Sequence, residues 1–478
     1  PCRCATPGLS LNRRGREHQA VDAQWRESQE RRGRALADVL SRDGVNGVAL
    51  SYVDNAGVTR VKAVPLNGLA HAAGWGVGMS PVFDVFCVDD SITSGRLAGG
   101  PTGDLRLHPV LDRVVGLAGQ PGWAWAPVDR YTQDGDEHPG CQRSFARRMA
   151  ARAAEAGLDA RMGFEIEWAL GSDEGEHFRP ACIGPAYGMT RLVELSDYCR
   201  DLLTALGAES VEVLQLHPEY AAGQFEVSAA PLDPVAAADQ VLLVRETIRA
   251  VSRKHGMAAS FAPAVVVGSV GNGQHLHLSL RRDGVNLLDD GRGPYGLTAE
   301  GESVLAGLLD ALPALCAVGA PSVASQLRQV PSHWAGVYRC WGRENREAAL
   351  RLVTGSIGET HRAANLEIKC FDGSANPYLV VGAVLAAALT AVDKGLTLPA
   401  EMTGDPAAQD PDELQRLGVE RLPESLQQSL ACLEHSDLLQ QAMGDWLFDA
   451  LTAVRRAEIA LFADRTPEQV VAATRWRY

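Results

Sequence analysis

Short stretches of alternating apolar and polar residues recur along this chain. Between them run longer stretches with apolar residues three and four apart. The first pattern predicts strands and the second predicts helices. From Ala35, the stretch ALADVLSRDGVNGVALSYVDNAGVTRVKAVPL reads helix, strand, turn, strand. Asp54-Asn55-Ala56-Gly57 is the expected hairpin turn between its two alternating runs. The portion 66–105 is rich in glycine and weakly periodic, DLRLHPVLDRVVGL predicts a strand pair, and WAWAPVDRY follows it. Residues 34–137 are therefore expected to form a small mixed domain on a β-sheet, with TQDGDEHPG as a linker to residues 138–478. Residues 1–33 are polar and Arg-rich with a thin apolar stripe, which favours a tail over a helix. Beyond the linker, CQRSFARRMAARAAEA predicts a helix ended by Gly157. Further helices are expected at 192–206, 234–255, 298–318, 377–394 and 440–464, with strands between them and no internal repeat.

Charge on the strand-like stretches changes this picture. In GFEIEW, Glu165 and Glu167 alternate and so share one face of a strand. In EVLQLHPEYAAGQFEVS, Glu219 and Glu226 flank an Ala-Ala-Gly turn, each at the edge of an apolar run. In QHLHLSL, His275 and His277 point the same way, and LEIKC sets Glu367 in another such strand. Any one of these groups alone reads as a solvated face or as packing. Together they put more charge on rigid strands than an ordinary core tolerates, and a cation must offset it. Divalent metal and polyphosphate fit that wall of donors.

Composition narrows the classes. A chain of 478 residues has material for a large core and two domains by default. Its net charge of −14 argues against nucleic acid as a partner. The ten cysteines show no CxxC or Cys/His zinc spacing, which fits reduced thiols better than a disulfide framework. The apolar run 378–392 is too short to span a bilayer, and the first residues carry no apolar signal core. A soluble, cytoplasmic protein is the expectation. Trp123 and Trp125 are assigned to core or subunit contact.

The ordered motifs GFEIEW, HPEYAAGQFE, GNGQHLHLSL, RQVP, NREAALR and FDGSANPYL resemble the glutamine synthetase superfamily, over essentially residues 35–478. Within it the chain looks most like bacterial members that glutamylate amines. The resemblance implies an α+β protein, with an N-terminal β-grasp domain and a catalytic domain built on a curved antiparallel sheet flanked by helices. It implies a homo-oligomeric double ring, a dodecamer, whose active sites are shared between neighbouring subunits. It also implies ATP and Mg2+ or Mn2+ as cofactors, and glutamate and an amine as substrates. Carried over residue by residue, one metal falls to Glu167, Glu219 and Glu226, and a second to Glu165, His275 and Glu367. His277, Ser279, Gly271, Lys369 and Arg351 fall to the nucleotide site. Arg328 matches the arginine that grips the glutamate carboxylate, and Arg346 and Arg351 match phosphate-binding arginines. Two divalent ions with arginines can neutralise a γ-phosphate moving onto a carboxylate oxygen.

The departures carry the specificity. Where ammonia-using members have a loop glutamate that closes the site, this chain has Trp334, in PSHWAG. The Asp-Gly-Ser-Ser loop that completes their ammonium site is absent, leaving Asp84, Asp89 and Asp90 as candidate substitutes. Lys369 stands where an arginine is usual, and Val270 where an asparagine helps hold glutamate. The tyrosine that some members adenylylate is missing from KGLTLPAEMTGDP. Three readings follow. The first is an ATP-dependent ligase joining glutamate to an organic amine of the polyamine or ethanolamine type, with Trp334 lining the amine site. The second is a true glutamine synthetase, and the third a catalytically silent regulatory paralogue. Retained metal ligands argue against the third, and Trp334 separates the first from the second.

Overall fold

In a computed structural model, residues 21–174, 177–289, 291–392 and 394–478 are described. Residues 1–20 of the expected tail lie outside that range. The rest of the expected tail is helical, because a helix spans Ala23–Arg42 with Asp22 as its cap, accepting the Trp25 N–H at 2.7 Å. Its apolar stripe is thin because close approach does the work of a wide face. A Cβ at Gly33 would lie 3.0 Å from Ala70 Cα and 3.1 Å from Ala73 Cβ of the Leu69–Trp75 helix. Trp25 also packs edge-on to His108 at 5.2 Å.

The first sheet has six strands. Its order is Thr59–Pro65, Gly47–Val53, Trp123–Thr132, Leu105–Pro109, Val77–Met79, with Val115–Gly116 also on Trp123–Thr132. The Asp54-Asn55-Ala56-Gly57 hairpin turn forms as expected, and the Asp54 carboxylate accepts from Ala56 and Val58 N–H at 3.0 and 2.9 Å. The expected strand pair in DLRLHPVLDRVVGL does not form as such. Leu105–Pro109 and Val115–Gly116 each pair with Trp123–Thr132 instead, since the helical turn Leu111–Arg113 carries the chain between them. Trp125 is buried, donating to Ser51 Oγ at 2.7 Å, whereas Trp123 is half exposed over Gly47.

The stretch TQDGDEHPG is packed rather than loose. His138 is buried with Nε2 2.7 Å from Asp84 Oδ2, and the same carboxylate receives Arg130 and, at 3.2 Å, the Trp446 indole. Asp84 is thereby removed from the candidates for an ammonium site facing a neighbouring subunit. Asp90 pairs with Arg60 and Arg477.

The second sheet has eleven strands. Its main path runs Glu420–Arg421, Tyr338–Arg343, Ala348–Val353, Asn365–Ile368, Leu276–Arg282, Leu158–Glu174, Gln224–Ala229, Val213–Pro218. Every neighbouring pair is antiparallel except Tyr338–Arg343 with Ala348–Val353, which is parallel. The Leu158–Glu174 strand, at 17 residues, passes from one set of partners to another. Its first half pairs with Leu276–Arg282 and its second with Gln224–Ala229, which curls the sheet. The expected helices are present, including Gln142–Glu155, Pro234–Lys254 and Pro377–Val392. Two are each split. Ser196–Ala208 follows a short turn of helix at Met189–Glu194, and Gly444, at φ 80°, separates Asp437–Met443 from Asp445–Leu461. Helix Ala299–Gly319 is long and apolar enough to cross a membrane, but it is mostly buried and packs on Pro377–Val392, a core position. The described cysteines are free thiols.

The two sheets meet at one point relevant to the site. Asn376 donates to Val53 O and Asp54 O at 3.0 and 3.2 Å. At Gly57, φ +86°, a Cβ would stand 1.9 Å from Ser374 O. The N-terminal hairpin turn is thus seated on the segment that follows Glu367 and its strand.

Candidate active site

Register places the charged residues in two rows across the curled sheet. His217 lies opposite Glu226, and Glu226 opposite Glu167, across three strands. Arg351 lies opposite Glu367, and Glu367 opposite His277, across three more. Directly opposed residues share a face, so each row is a line of side chains within reach of one another. Glu165, two residues before Glu167, ties the rows together through the histidines. His275 Nδ1 is 2.9 Å from Glu165 Oε2 and 3.3 Å from Glu367 Oε1, and His277 Nε2 is 3.2 Å from Glu165 Oε1.

Two groups emerge with donor atoms close enough for one ion each: Glu165, His277 and Glu367, and His217, Glu219 and Glu226. The first group differs from the set Glu165, His275, Glu367 inferred by resemblance. His275 touches both carboxylates too, but its Nε2 accepts from Arg328 at 3.0 Å, which leaves Nδ1 to carry the proton. In the second group His217 joins Glu219 and Glu226, at 3.5 and 3.3 Å. Sequence reading passed over His217 although it stands two residues before Glu219 in LHPE, the same alternation that marked Glu165 with Glu167. Glu167 is held beside this group by Gln224, whose Nε2 donates to Glu167 Oε2 at 2.9 Å and to Gly271 O at 3.0 Å. Glycines leave the room for this crowding. A Cβ at Gly273 would meet His275 Nε2, Arg328 Nη2 and Glu167 Oε1 at 2.6 to 2.8 Å.

The second group carries more acid than its one histidine can offset. Burial, then the neighbouring Glu167 and Glu226 carboxylates, push Glu219 up to about 7. Burial and the charges of Glu165 and Glu167 likewise raise Glu226. His217 is raised to about 9 by its bond to Glu226 and the Glu219 charge beyond. One imidazolium faces three acids, so the donor set fits a divalent cation. In the first group burial works against ionised Glu367, yet Lys369 at 3.0 Å and the two histidines hold it well below the usual range. Burial also opposes the His277 imidazolium, but the Glu165 bond and the Glu367 charge raise it to about 9.

Cationic side chains line the near edge. Arg351 donates to Glu367 at 3.0 Å and to Glu344 at 2.8 Å. Arg328 is buried, and its Nη1 has no acceptor among the described residues. Arg346 stays on the exposed turn between Tyr338–Arg343 and Ala348–Val353, outside the cluster. Ser279 lies on the His277 face two residues further along the strand. Gly271 packs against Pro263 O and the Arg328 stem, where no Cβ fits. Val270 lines a cavity of about 210 Å³ behind Gln224 and Asn272, with Phe178 and Val266.

Trp334 sits on a turn at the mouth. Its φ is 57°, and Ser332 of the same turn has φ 59°, a conformation rare outside glycine. The Trp334 N–H donates to Glu347 Oε1 at 2.9 Å, and Ser332 Oγ to Asp405 Oδ2 at 2.7 Å. The indole stands 5.3 Å from the Tyr220 ring, next to Glu219 in sequence, whose Oε2 accepts the Tyr220 N–H at 3.0 Å. Tyr220 and Glu347 were not singled out by sequence reading. Neither lies in an alternating run with another charged or aromatic residue, so no spacing marked them.

Comparison with known proteins bears on the family and the fold. The glutamine synthetase catalytic domain matches residues 139–472. A protein named gamma-glutamylpolyamine synthetase GlnA3, from Streptomyces coelicolor, is 55% identical over 456 residues, covering 95% of this chain and 98% of its own. A glutamine synthetase from Clostridium saccharobutylicum is 28% identical over 88% of this chain and 94% of its own. Among solved structures, one described as a novel glutamine synthase homolog superposes with a TM-score of 0.81 at 32% identity, over 91% of this chain and 99% of that one. The match over most of the catalytic portion and the long close alignment lead to one conclusion: the chain belongs to the glutamine synthetase family.

Proposed function

We propose that the protein is an ATP-dependent ligase that forms γ-glutamyl phosphate from glutamate and transfers the γ-glutamyl group to a polyamine. The observation that carries this reading is the mouth of the site, where Trp334 faces Tyr220 beside Glu219, in place of the acid that serves ammonia. The 55% identity to a protein named for polyamine glutamylation supports it.

In this reading Glu165, His277 and Glu367, with His275 alongside, hold one divalent ion, Mg2+ or Mn2+, and Glu167, Glu219, Glu226 and His217 hold another. Bound there, such ions would offset the charge of ATP and of the phosphoryl group in transit. Arg328 offers its unpaired Nη1 to the substrate carboxylate. Arg351, held between Glu344 and Glu367, presents a guanidinium to phosphate. The γ-carboxylate oxygen attacks the γ-phosphorus of ATP and ADP leaves. The neutral amine nitrogen then attacks the acyl carbon, inorganic phosphate departs, and the amine loses a proton. An aromatic mouth favours an alkylammonium chain, whose methylenes it buries and whose charge it attracts. We propose further that the chain assembles as a homo-oligomeric double ring, as the family resemblance implies, which light scattering in solution would measure.

The test is phosphate release with ATP, Mg2+ and glutamate across a panel of amines that includes ammonium. A polyamine is expected to be the best acceptor, with the γ-glutamyl adduct seen by mass spectrometry. Ammonium as the best acceptor would replace this reading with a plain glutamine synthetase.

A further inference from the structure

The turn that carries Trp334 is expensive to hold. Ser332 and Trp334 both occupy the left-handed region, and residues so placed persist only where the surroundings over-determine them. Two carboxylates do so here, Asp405 through Ser332 Oγ and Glu347 through the Trp334 N–H. Asp405 uses both of its oxygens, the second capping its own helical turn through the Ala407 N–H. Glu347 differs. It is half-buried between Asn345 and the strand that begins at Ala348, and burial raises its carboxyl, with the Asp405 charge adding and Lys369 and His333 opposing. Only Oε1 is used, since among the described residues no hydrogen bond reaches Oε2. Glu347 thus anchors the Trp334 side of the Trp334–Tyr220 pair, as Glu219, a metal-group carboxylate, anchors the Tyr220 side. Each of the two paired aromatic residues at the mouth has a carboxylate bonded to its backbone N–H.

That layout suits a cation longer than ammonium. We propose that Glu347 is a specificity-determining residue of the acceptor site: one oxygen fixes the Trp334 turn, and the other takes the distal ammonium of a di- or polyamine whose methylenes lie against Trp334 and Tyr220. This deepens the polyamine reading and rests on it. A monoamine of the same length would meet the same rings but leave Oε2 without a cation. The charge-assisted contact therefore separates diamines from monoamines.

The experiment compares 1,4-diaminobutane with n-butylamine on the full-length enzyme with Mg2+, ATP and glutamate. Binding is read by calorimetry with a non-hydrolysable ATP analogue, and product by mass spectrometry. The variant Glu347→Gln keeps an acceptor oxygen for the Trp334 N–H while removing the charge, so the turn is retained. Wild type is expected to bind the diamine about tenfold more tightly than butylamine, the size of one charge-assisted contact net of desolvation. Glu347→Gln is expected to lose that preference, with butylamine affinity and the KM values for ATP and glutamate within twofold of wild type. Glu347→Asp, which restores the charge on a shorter stem, should recover part of it. A diamine preference unchanged in Glu347→Gln, or an equal loss for both amines, would overturn the assignment. The ligase reading is judged separately, by whether wild type forms a γ-glutamyl adduct with either amine, because the Kd ratio is measured without turnover.

Discussion

Replacing Glu219 by Gln should make the metal-free protein more stable while disabling the enzyme. Burial and the Glu167 and Glu226 charges raise the Glu219 carboxyl from 4.5 to about 7. A raised acid holds its proton in the folded state after the unfolded chain has released it. Its contribution therefore falls as pH rises from 4.5 through about 7, and is lost above that. A rise from 4.5 to about 7 corresponds to about 3 kcal/mol. Gln is close in shape and keeps one acceptor for the Tyr220 N–H, so weakened bonds return about 1 kcal/mol of that. A net gain of about 1–2 kcal/mol is expected in chelator at pH 8, and none near pH 4.5. Magnesium should reverse the order. At a hundredfold over Kd it stabilises wild type by about 2.7 kcal/mol, and the variant, lacking a ligand, gains less. The assay is thermal denaturation at pH 4.5 to 8 with EDTA or MgCl2, alongside phosphate release. A variant less stable than wild type in EDTA at pH 8, with an undiminished response to magnesium, would refute both the repulsion and the ligand assignment.

Trp334→Ala should raise the KM for a polyamine by about 3- to 30-fold, the range of a cation–π contact, with KM for ATP within twofold; an equal rise in both would assign the indole a structural role only. Asp84→Asn leaves Arg130 buried without its counter-ion and should cost about 3–5 kcal/mol at pH 7. Arg130 and His138 hold Asp84 below the usual carboxylate range despite its burial, so the gap between variant and wild type in thermal melts should narrow as pH falls through the acid range. Arg351→Met, which removes the guanidinium beside Glu367, should lower kcat by at least tenfold with every amine, read by phosphate release. Purified protein should carry no AMP adduct on 394–405, since that stretch has no tyrosine, and intact-mass measurement of the protein checks this.

Much of the site was legible because strands convert alternation into a shared face. Glu165, Glu167, Glu219, Glu226, His275, His277 and Glu367 were singled out on strand-like stretches, their ligand roles came from the family resemblance, and the curled sheet brings them together. What spacing could not show was partnership across strands. Both His275 and His277 reach Glu165, but Arg328 also reaches the His275 ring, a contact between residues 53 apart. Arg346 matched by motif, but the turn it occupies points it to solvent. In the N-terminal part, the Ala23–Arg42 helix was hidden by its charge, because Gly33 and Trp25 give it packing that a stripe of apolar residues does not reveal. The buried His138 in a polar stretch was misread for a similar reason, since only the fold supplies Asp84.

The seating of the N-terminal hairpin on the segment after Glu367 bears on how this protein can be cut and recombined. The family match begins at residue 139, which invites treating 139–472 as a portable catalytic unit. Excising it would strip Asn376 of both its carbonyl acceptors, Val53 O and Asp54 O, and uncover the Ser374 carbonyl against which Gly57 is pressed. The same loop holds Asp372, which closes on Ser374, and continues into the buried Pro377–Val392 helix. A chimera that takes its N-terminal sheet from a relative would therefore need the Asp-Asn-Ala-Gly turn transplanted with its partner loop. The two segments behave as one heritable piece, though more than 300 residues separate them along the chain.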